Sequence, residues 1–185
     1  MALTDETLLN NQHEQPIKTL NGNSMVSIKA YFDGSIKRES VDLNVLVHKA
    51  MDQMSHLDQY DNICFDINIP KNFSIFSNAF LMDVILGNLI QNAVKNNSAH
   101  NAIIKINAFK IRKMVVVQII DNGHGIKNED QNKVFDLNYG KNKMEAESGK
   151  GLYITKTAVE RLGGEISLTS YENKFTKFEI KIPIV

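Results

Sequence analysis

The chain has 185 residues, 43% of them hydrophobic and 23% charged, which suits one globular domain with a sizeable core, or one domain plus a short extension. Lys+Arg and Asp+Glu balance at 21 each, so a net charge of zero gives no support to a nucleic-acid-binding or polybasic membrane-binding role. Cys64, the only cysteine, excludes an intrachain disulfide and a cysteine metal cluster, and no apolar run is long enough to span a bilayer.

Residues 1–38 are polar and punctuated by Pro16, Gly22 and Gly34, with a short apolar cluster (Met25, Val26, Ile28, Tyr31, Phe32) that suits one end of a helix. From Val41 the pattern sharpens: Leu43, Leu46, Val47, Ala50, Met51, Met54 and Leu57 recur at three- and four-residue steps and predict an amphipathic helix. Residues 62–69 alternate, with Ile63, Phe65, Ile67 and Ile69 against Cys64, Asp66 and Asn68, and predict a half-buried strand that Pro70 ends. Residues 73–76 read as a second short strand. Residues 78–96 are helical, with Phe80, Leu81, Val84, Ile85, Leu89 and Ala93 apolar. Two strands at 102–111 and 114–120 are joined by a tight basic turn, and a glycine-bearing loop at 121–126 follows. A short helix is expected at 128–136 and a loop without apolar period at 137–150. Residues 151–162 form a helix stopped by Gly163-Gly164, and strands at 165–171 and 175–182 close the chain. Strand pairs with helices between them predict a mixed sheet with helices packed on one face.

Three stretches carry chemistry. Asn88, Asn92 and Lys95, spaced four and three apart, share a polar helix face while Ile85, Leu89 and Ala93 serve the core. The amide oxygen of Asn92 is the kind of hard donor Mg²⁺ accepts, and Lys95 one turn on suits phosphates as a point charge; a solvated helix face has the same pattern. The second is Asp121-Asn122-Gly123-His124-Gly125-Ile126, directly after a strand. Its glycines let the backbone approach a ligand, and an Asp at a strand end accepts from an exocyclic amine such as adenine N6, although Asx-Gly pairs also make plain turns. The third, Ser148-Gly149-Lys150-Gly151-Leu152, opens a helix whose free N–H groups and dipole attract anions, or is an ordinary helix start.

Taken in order, the series resembles the histidine-kinase-type ATPase superfamily, which also contains DNA gyrase, heat-shock chaperone ATPases and mismatch-repair ATPases. Residues 86–95 look like the family's N box, 121–126 like its G1 box, Val134-Phe135-Asp136 like its F box and 149–152 like its G2 box. Gly163-Gly164-Glu165-Ile166 and the 178–183 stretch match the usual ending, so the resemblance covers roughly residues 39–185. It implies a Bergerat ATP-binding fold: an α/β (α+β) two-layer sandwich with a mixed, mostly antiparallel sheet and helices packed on one face. It also implies the ATP-binding catalytic domain of a two-component sensor histidine kinase, using ATP and Mg²⁺. Such a domain transfers the γ-phosphoryl group to a histidine on a separate dimerisation and phosphoacceptor domain, for relay to the receiver domain of a response regulator. The expected location is cytoplasmic, alone or as the cytoplasmic part of a membrane-bound receptor.

By the same resemblance Asn92 holds Mg²⁺, Asn88 and Lys95 contact phosphates, and Asp121 binds the adenine amine within a wall shaped by Gly123, Gly125 and Ile126. Thr176 supports the adenine side. Residues 137–150 form an ATP lid with Gly149 and Gly151 at its hinge, Lys150 and Leu152 beside them, and Lys141 and Lys143 as γ-phosphate contacts. His124, inside the G1 loop, is a candidate to line the nucleotide.

The chain departs from the pattern at several points. Val84 stands one helical turn before Asn88, where hydrolysing relatives carry a glutamate base; valine accepts no proton, which favours transfer to an external acceptor over hydrolysis. Glu147 replaces a lid glycine, and Phe175 stands where a glycine often precedes Thr-x-Phe. Pro16 follows the only His-acid pair, His13-Glu14, too soon for an acceptor motif. Residues 1–38 are therefore expected to be the remnant of a hairpin helix plus linker, and 39–185 the catalytic domain. Two other readings stay open: a stand-alone kinase like the anti-sigma-factor serine kinases, and a degenerate nucleotide-binding regulatory module.

Overall fold

Alternating apolar positions along five segments build the central sheet. In the computed structural model, which describes residues 36–137, 139 and 150–184, these segments belong to one unit, Gly34–Val185. The elements run β1 (Glu39–Asp42), α1 (Leu43–Met54), β2 (Ile63–Asn68), β3 (Ser74–Ser77), α2 (Ala79–Lys95), β4 (Ala102–Ile111), β5 (Met114–Asp121), α3 (Gly151–Arg161), β6 (Glu165–Tyr171) and β7 (Phe175–Pro183). The five-stranded sheet has the order β2-β4-β5-β7-β6; β2 and β4 are parallel and every other pair is antiparallel. Ala102, Ile104, Ile106 and Ala108 of β4, Val115, Val117 and Ile119 of β5, and Phe178, Ile180 and Ile182 of β7 are buried at alternate positions. They form the face under the helices, where each fully buried Leu, Ile or Val contributes roughly 1.5–3 kcal/mol. The opposite face is mixed, and at its centre Gln118 Nε2 donates to Glu179 Oε2 at 2.7 Å, with Lys177 and Lys181 flanking the same carboxylate.

α2 is the helix that matters for the site. Asn78 caps it by accepting from Leu81 N–H at 2.8 Å, an interaction worth about 1 kcal/mol. Its buried residues, Leu81, Met82, Val84, Ile85, Leu86, Leu89, Ile90, Ala93 and Val94, occupy most of the circumference. The stripe left over carries Asn88, Asn92 and Lys95, so the same periodicity that docks the helix aims its polar face. α1 is capped likewise, with Asp42 Oδ1 accepting from Asn44 N–H at 2.8 Å.

Two features differ from the sequence reading. β1 pairs antiparallel with β3 as a separate two-stranded sheet; Glu-Ser-Val-Asp places only Val41 in the core, so no alternation announces it. Residues 128–136 form successive turns rather than a helix, with Asp130, Lys133 and Asp136 N–H donating to Lys127, Asp130 and Lys133 O at 2.8–2.9 Å. Only Val134 is fully buried there, too little apolar surface to hold a helical face. Among the described residues no helix is long and apolar enough to cross a membrane. Residues 1–35, and Lys141, Lys143 and Gly149 of the expected lid, lie outside the described residues.

Candidate functional site

β5 ends at Asp121, where the sheet passes the C-terminal end of α2. Asp121 is 4% exposed and Oδ1 accepts from Gly123 N–H at 3.0 Å. Burial pushes its carboxyl up to about 6, against the opposite pull of that backbone hydrogen bond. A buried carboxylate whose partners among the described residues are only the backbone N–H groups of Gly123 and of Asp121 itself keeps lone pairs for a donor placed beside it.

The loop after Asp121 is held from two sides. On the α2 side, His124 N–H donates to Asn96 O at 3.1 Å, and the buried Asn97 gives Nδ2 to Asn122 Oδ1 at 3.0 Å. Asn122 Oδ1 also takes Ile103 N–H at 2.7 Å, and its Nδ2 donates to Asn101 O at 2.8 Å. A Cβ on Gly123 would lie 2.2 Å from Asn96 O, so the approach requires glycine. On the β6–β7 side, Asn173 N–H donates to His124 O at 2.6 Å, and Ile126 N–H donates to Ser170 Oγ at 2.8 Å. Gln131 Nε2 donates to both Ile126 O and Ser170 O at 3.0 Å. Gly125, at φ +65, leaves room for Tyr171 O, which a Cβ would approach to 2.1 Å. His124 is exposed and its Nε2 meets Ser98 Oγ at 2.6 Å.

Antiparallel register carries the polar surface across three strands. Asp121 faces Thr176 and Thr176 faces Ser170, and all three are buried on the helix side of the sheet. Phe135 packs edge-on against Phe178, ring centroids 6.2 Å apart, which pins the turns after the loop to β7.

The third stretch joins the first. Asn88 Nδ2 donates to Gly151 O at 3.2 Å, linking residues 63 apart in sequence and setting the start of α3 against the polar stripe of α2. Thr155 Oγ1 donates to the same carbonyl at 2.9 Å. A Cβ on Gly151 would point at Asn88 Oδ1 from 3.7 Å, so glycine leaves that amide uncovered. The side chains of half-buried Asn92 and exposed Lys95 have no partner among the described residues. Lys150 and Leu152 flank Gly151, both half-buried.

The structure thus assembles Asn88, Asn92, Lys95, Lys150, Gly151 and Leu152 around the α2 and α3 ends, and Asp121, Gly123, Gly125, Ile126 and Thr176 around the end of β5. Asn97, Gln131 and Ser170 escaped the sequence reading. Ser170 had a signal: it is the one polar side chain on the inward parity of β6, after Ile166 and Leu168. Asn97, a buried amide just past a helix, had none.

Comparison with known proteins fits this geometry. A family profile described as "Histidine kinase-, DNA gyrase B-, and HSP90-like ATPase" matches residues 78–185. The signal transduction histidine-protein kinase ArlS of Staphylococcus epidermidis is 30% identical over 152 residues, 80% of this chain and 33% of that protein. The chain therefore spans about a third of the length of that curated relative. Among solved structures, the catalytic domain of histidine kinase ThkA superposes with a TM-score of 0.68 at 24% identity, covering 80% of this chain and 96% of that one. The mycobacterial sensor histidine kinase MprB does so with a TM-score of 0.69 at 19% identity, over 80% and 98%. Since the family profile takes in α2, the Asp121 loop, the start of α3 and the closing hairpin, the chain belongs to the histidine kinase-, DNA gyrase B- and HSP90-like ATPase family.

Proposed function

We propose that this chain is the ATP-binding catalytic domain of a two-component sensor histidine kinase. It donates the γ-phosphoryl group of ATP to a histidine on a separate dimerisation domain, which passes it to a response-regulator aspartate. The observation that carries this reading is the meeting of three sequence-distant stretches at one edge of the sheet: a buried acceptor at Asp121, an amide-and-lysine stripe on α2, and a glycine-led helix start bound to that stripe through Asn88.

In this reading Asp121 accepts from the adenine amine, and Gly123 and Gly125 keep that wall thin. Lys95 neutralises phosphate charge, and the free N–H groups at the start of α3 receive phosphate oxygens. The chemistry of Asn92 fits a divalent cation: an amide oxygen, half-buried, on a side chain with no competing protein partner among the described residues. Mg²⁺ held there would neutralise charge developing on the transferred group. Asn88, with one Nδ2–H committed to Gly151 O, leaves its amide oxygen without a partner among the described residues.

Transfer to an external acceptor, rather than to water, follows from what stands beside Asn88. Val84 is 4% exposed and accepts no proton. Asp83, the nearest carboxylate in sequence, is turned about 100° around the helix and bonded to Lys49 Nζ at 2.9 Å. The γ-phosphorus–oxygen bond to ADP therefore breaks as a bond to an imidazole nitrogen forms, and ADP leaves. In the cell the domain works on the cytoplasmic side, alone or beneath a membrane receptor.

The test is calorimetric titration with ADP, with and without Mg²⁺, on the wild type and on Asn92→Ala, followed by transfer of labelled phosphate from ATP to a supplied histidine-bearing helical domain. Tight ADP binding whose Mg²⁺ dependence disappears in Asn92→Ala, with acid-labile label on the helical domain, supports the reading. Acid-stable label on a serine would favour the serine-kinase alternative, and absence of ADP binding by folded protein would leave a degenerate module.

A further inference from the structure

Ser170 has no assigned role, yet its hydroxyl sits where the loop after β5 meets β6 and β7. It is 6% exposed, on the inward face of β6, directly across from Thr176. Its surroundings fix where its proton goes. Ser170 Oγ donates to Phe175 O at 2.8 Å and accepts from Ile126 N–H at 2.8 Å. A hydroxyl has one proton and two lone pairs, so only an acceptor position remains for its third neighbour, Thr176 Oγ1 at 3.3 Å. Thr176 must then be the donor in that contact. Its single proton points along the sheet toward Ser170, and its lone pairs are left for the side where Asp121 lies.

The consequence is a wall of acceptors. Asp121 offers a carboxylate oxygen and Thr176 a hydroxyl lone pair, and neither offers a proton. A purine with an exocyclic amino group at C6 brings donors to such a wall. A purine with an oxo group at C6 brings an acceptor at that position, its donor having moved to N1–H, and the C6 oxygen is accommodated only by a donor. The hydroxyl directly across the sheet from Asp121 that could turn into that donor is Thr176, and Ser170 holds its proton away. We propose that Ser170 is a specificity-determining positioning residue, which sets the direction of the Thr176 hydroxyl and thereby makes the site select 6-amino over 6-oxo purine nucleotides. The inference rests on the nucleotide reading of the Asp121 site. It adds a residue that never touches the base.

Gln131 supplies the control. Its amide clasps the same two segments, at Ile126 O and Ser170 O, but it makes no contact with the Thr176 hydroxyl. Loosening the loop through Gln131 costs affinity for any purine, whereas releasing the Thr176 proton through Ser170 changes which purine is preferred.

The experiment is calorimetric titration of ADP and inosine diphosphate into the whole chain, comparing wild type, Ser170→Ala, Ser170→Cys and Gln131→Leu. The cysteine variant nearly preserves side-chain volume, and its weakly bonding thiol keeps the test available where the alanine variant fails to fold. The expected result is a preference for ADP over inosine diphosphate that falls about tenfold in both Ser170 variants, the size of one hydrogen bond gained or lost, while Gln131→Leu weakens both nucleotides by the same factor. An unchanged ratio in folded Ser170 variants overturns the inference, as does a ratio that falls equally in Gln131→Leu. Wild-type protein that binds both nucleotides equally overturns it too, and leaves the nucleotide reading standing. Wild-type protein that binds neither removes both.

Discussion

The two ends of the site are built on opposite terms. Around Asp121 the loop is bonded on both flanks: Asn96, Asn97 and Asn101 hold it on one side, Ser170, Gln131 and Asn173 on the other, and two glycines press against backbone carbonyls. Around α2 and the start of α3 a single 3.2 Å hydrogen bond joins Asn88 to Gly151, and the side chains of Asn92 and Lys95 meet no partner among the described residues. One end is a finished shape and the other an unfinished electrostatic surface. A rigid wall discriminates by geometry and fails abruptly. A surface of free amides and a cation binds by charge and fails by degrees.

The sharpest way to break this contrast is at Gly125. An alanine there must hold φ near +65 with its Cβ within 2.1 Å of Tyr171 O. The expected result is loss of measurable ADP binding and a stability loss of about 3 kcal/mol or more, since strain and a displaced backbone contact combine. Urea unfolding beside an ADP titration checks it, and a variant that stays close to wild type would mean the loop gives way easily.

Asp121→Asn tests the same wall through chemistry rather than shape. An amide turned to satisfy Gly123 N–H points its own donors at the base, and ADP affinity is expected to fall on the order of 100-fold. The pH dependence has two opposite signs. If the base is held by the carboxylate as proposed, whose titration is raised to about 6, ADP affinity should weaken from pH 7 to pH 5. The stability of the unliganded protein moves the other way. A folded-state value near 6, against 3.8 for an unperturbed aspartate, means that this group's contribution to stability is full below 3.8 and is lost as pH rises through about 6. Asp121→Asn should flatten both profiles, read by calorimetry and by thermal melts across roughly pH 4.5–7.5.

This contrast also explains what the sequence disclosed. The polar stripe of α2 was legible because helical periodicity dictates it: once Ile85, Leu89 and Ala93 face the core, Asn88, Asn92 and Lys95 share the other side. The five sheet strands were legible for the same reason, through alternation with period two. The end proposed to take the base was legible in Asp121, Gly123, Gly125 and Ile126 of one short motif, and in Thr176 through the family's closing pattern. What completes it, Asn97, Gln131 and Ser170, acts through hydrogen bonds between segments up to 44 residues apart, and tertiary pairing of that kind leaves no local period. β1 and the turns at 128–136 were missed for a related cause, since each is held by contacts made elsewhere rather than by its own pattern.

On the α2 stripe proposed to meet the phosphates, Lys95→Ala is expected to weaken ADP about five- to tenfold at low salt and less as salt rises, with stability unchanged within about 0.5 kcal/mol. Titrations at two ionic strengths measure it. A salt-independent loss would mean that Lys95 acts by fixed geometry, and the contrast between the two ends would weaken.

The smallest effect expected is at Lys49, and it tests whether this surface lacks a base by design of the helix or merely because a base is tied up. Lys49 Nζ and Asp83 Oδ2 are 2.9 Å apart, with side chains 51% and 27% exposed, so solvent screens the pair and Lys49→Ala should cost under about 0.5 kcal/mol. Freed of lysine, Asp83 still lies on the α1 side of α2, because one residue of helix turns a side chain about 100°. Val84 keeps the position one turn before Asn88 and remains buried. Lys49→Ala should therefore leave basal release of inorganic phosphate from ATP unchanged. A rise in that rate would show Asp83 swinging to activate water, and would locate the restraint on hydrolysis in an ion pair rather than in the angular spacing of the helix.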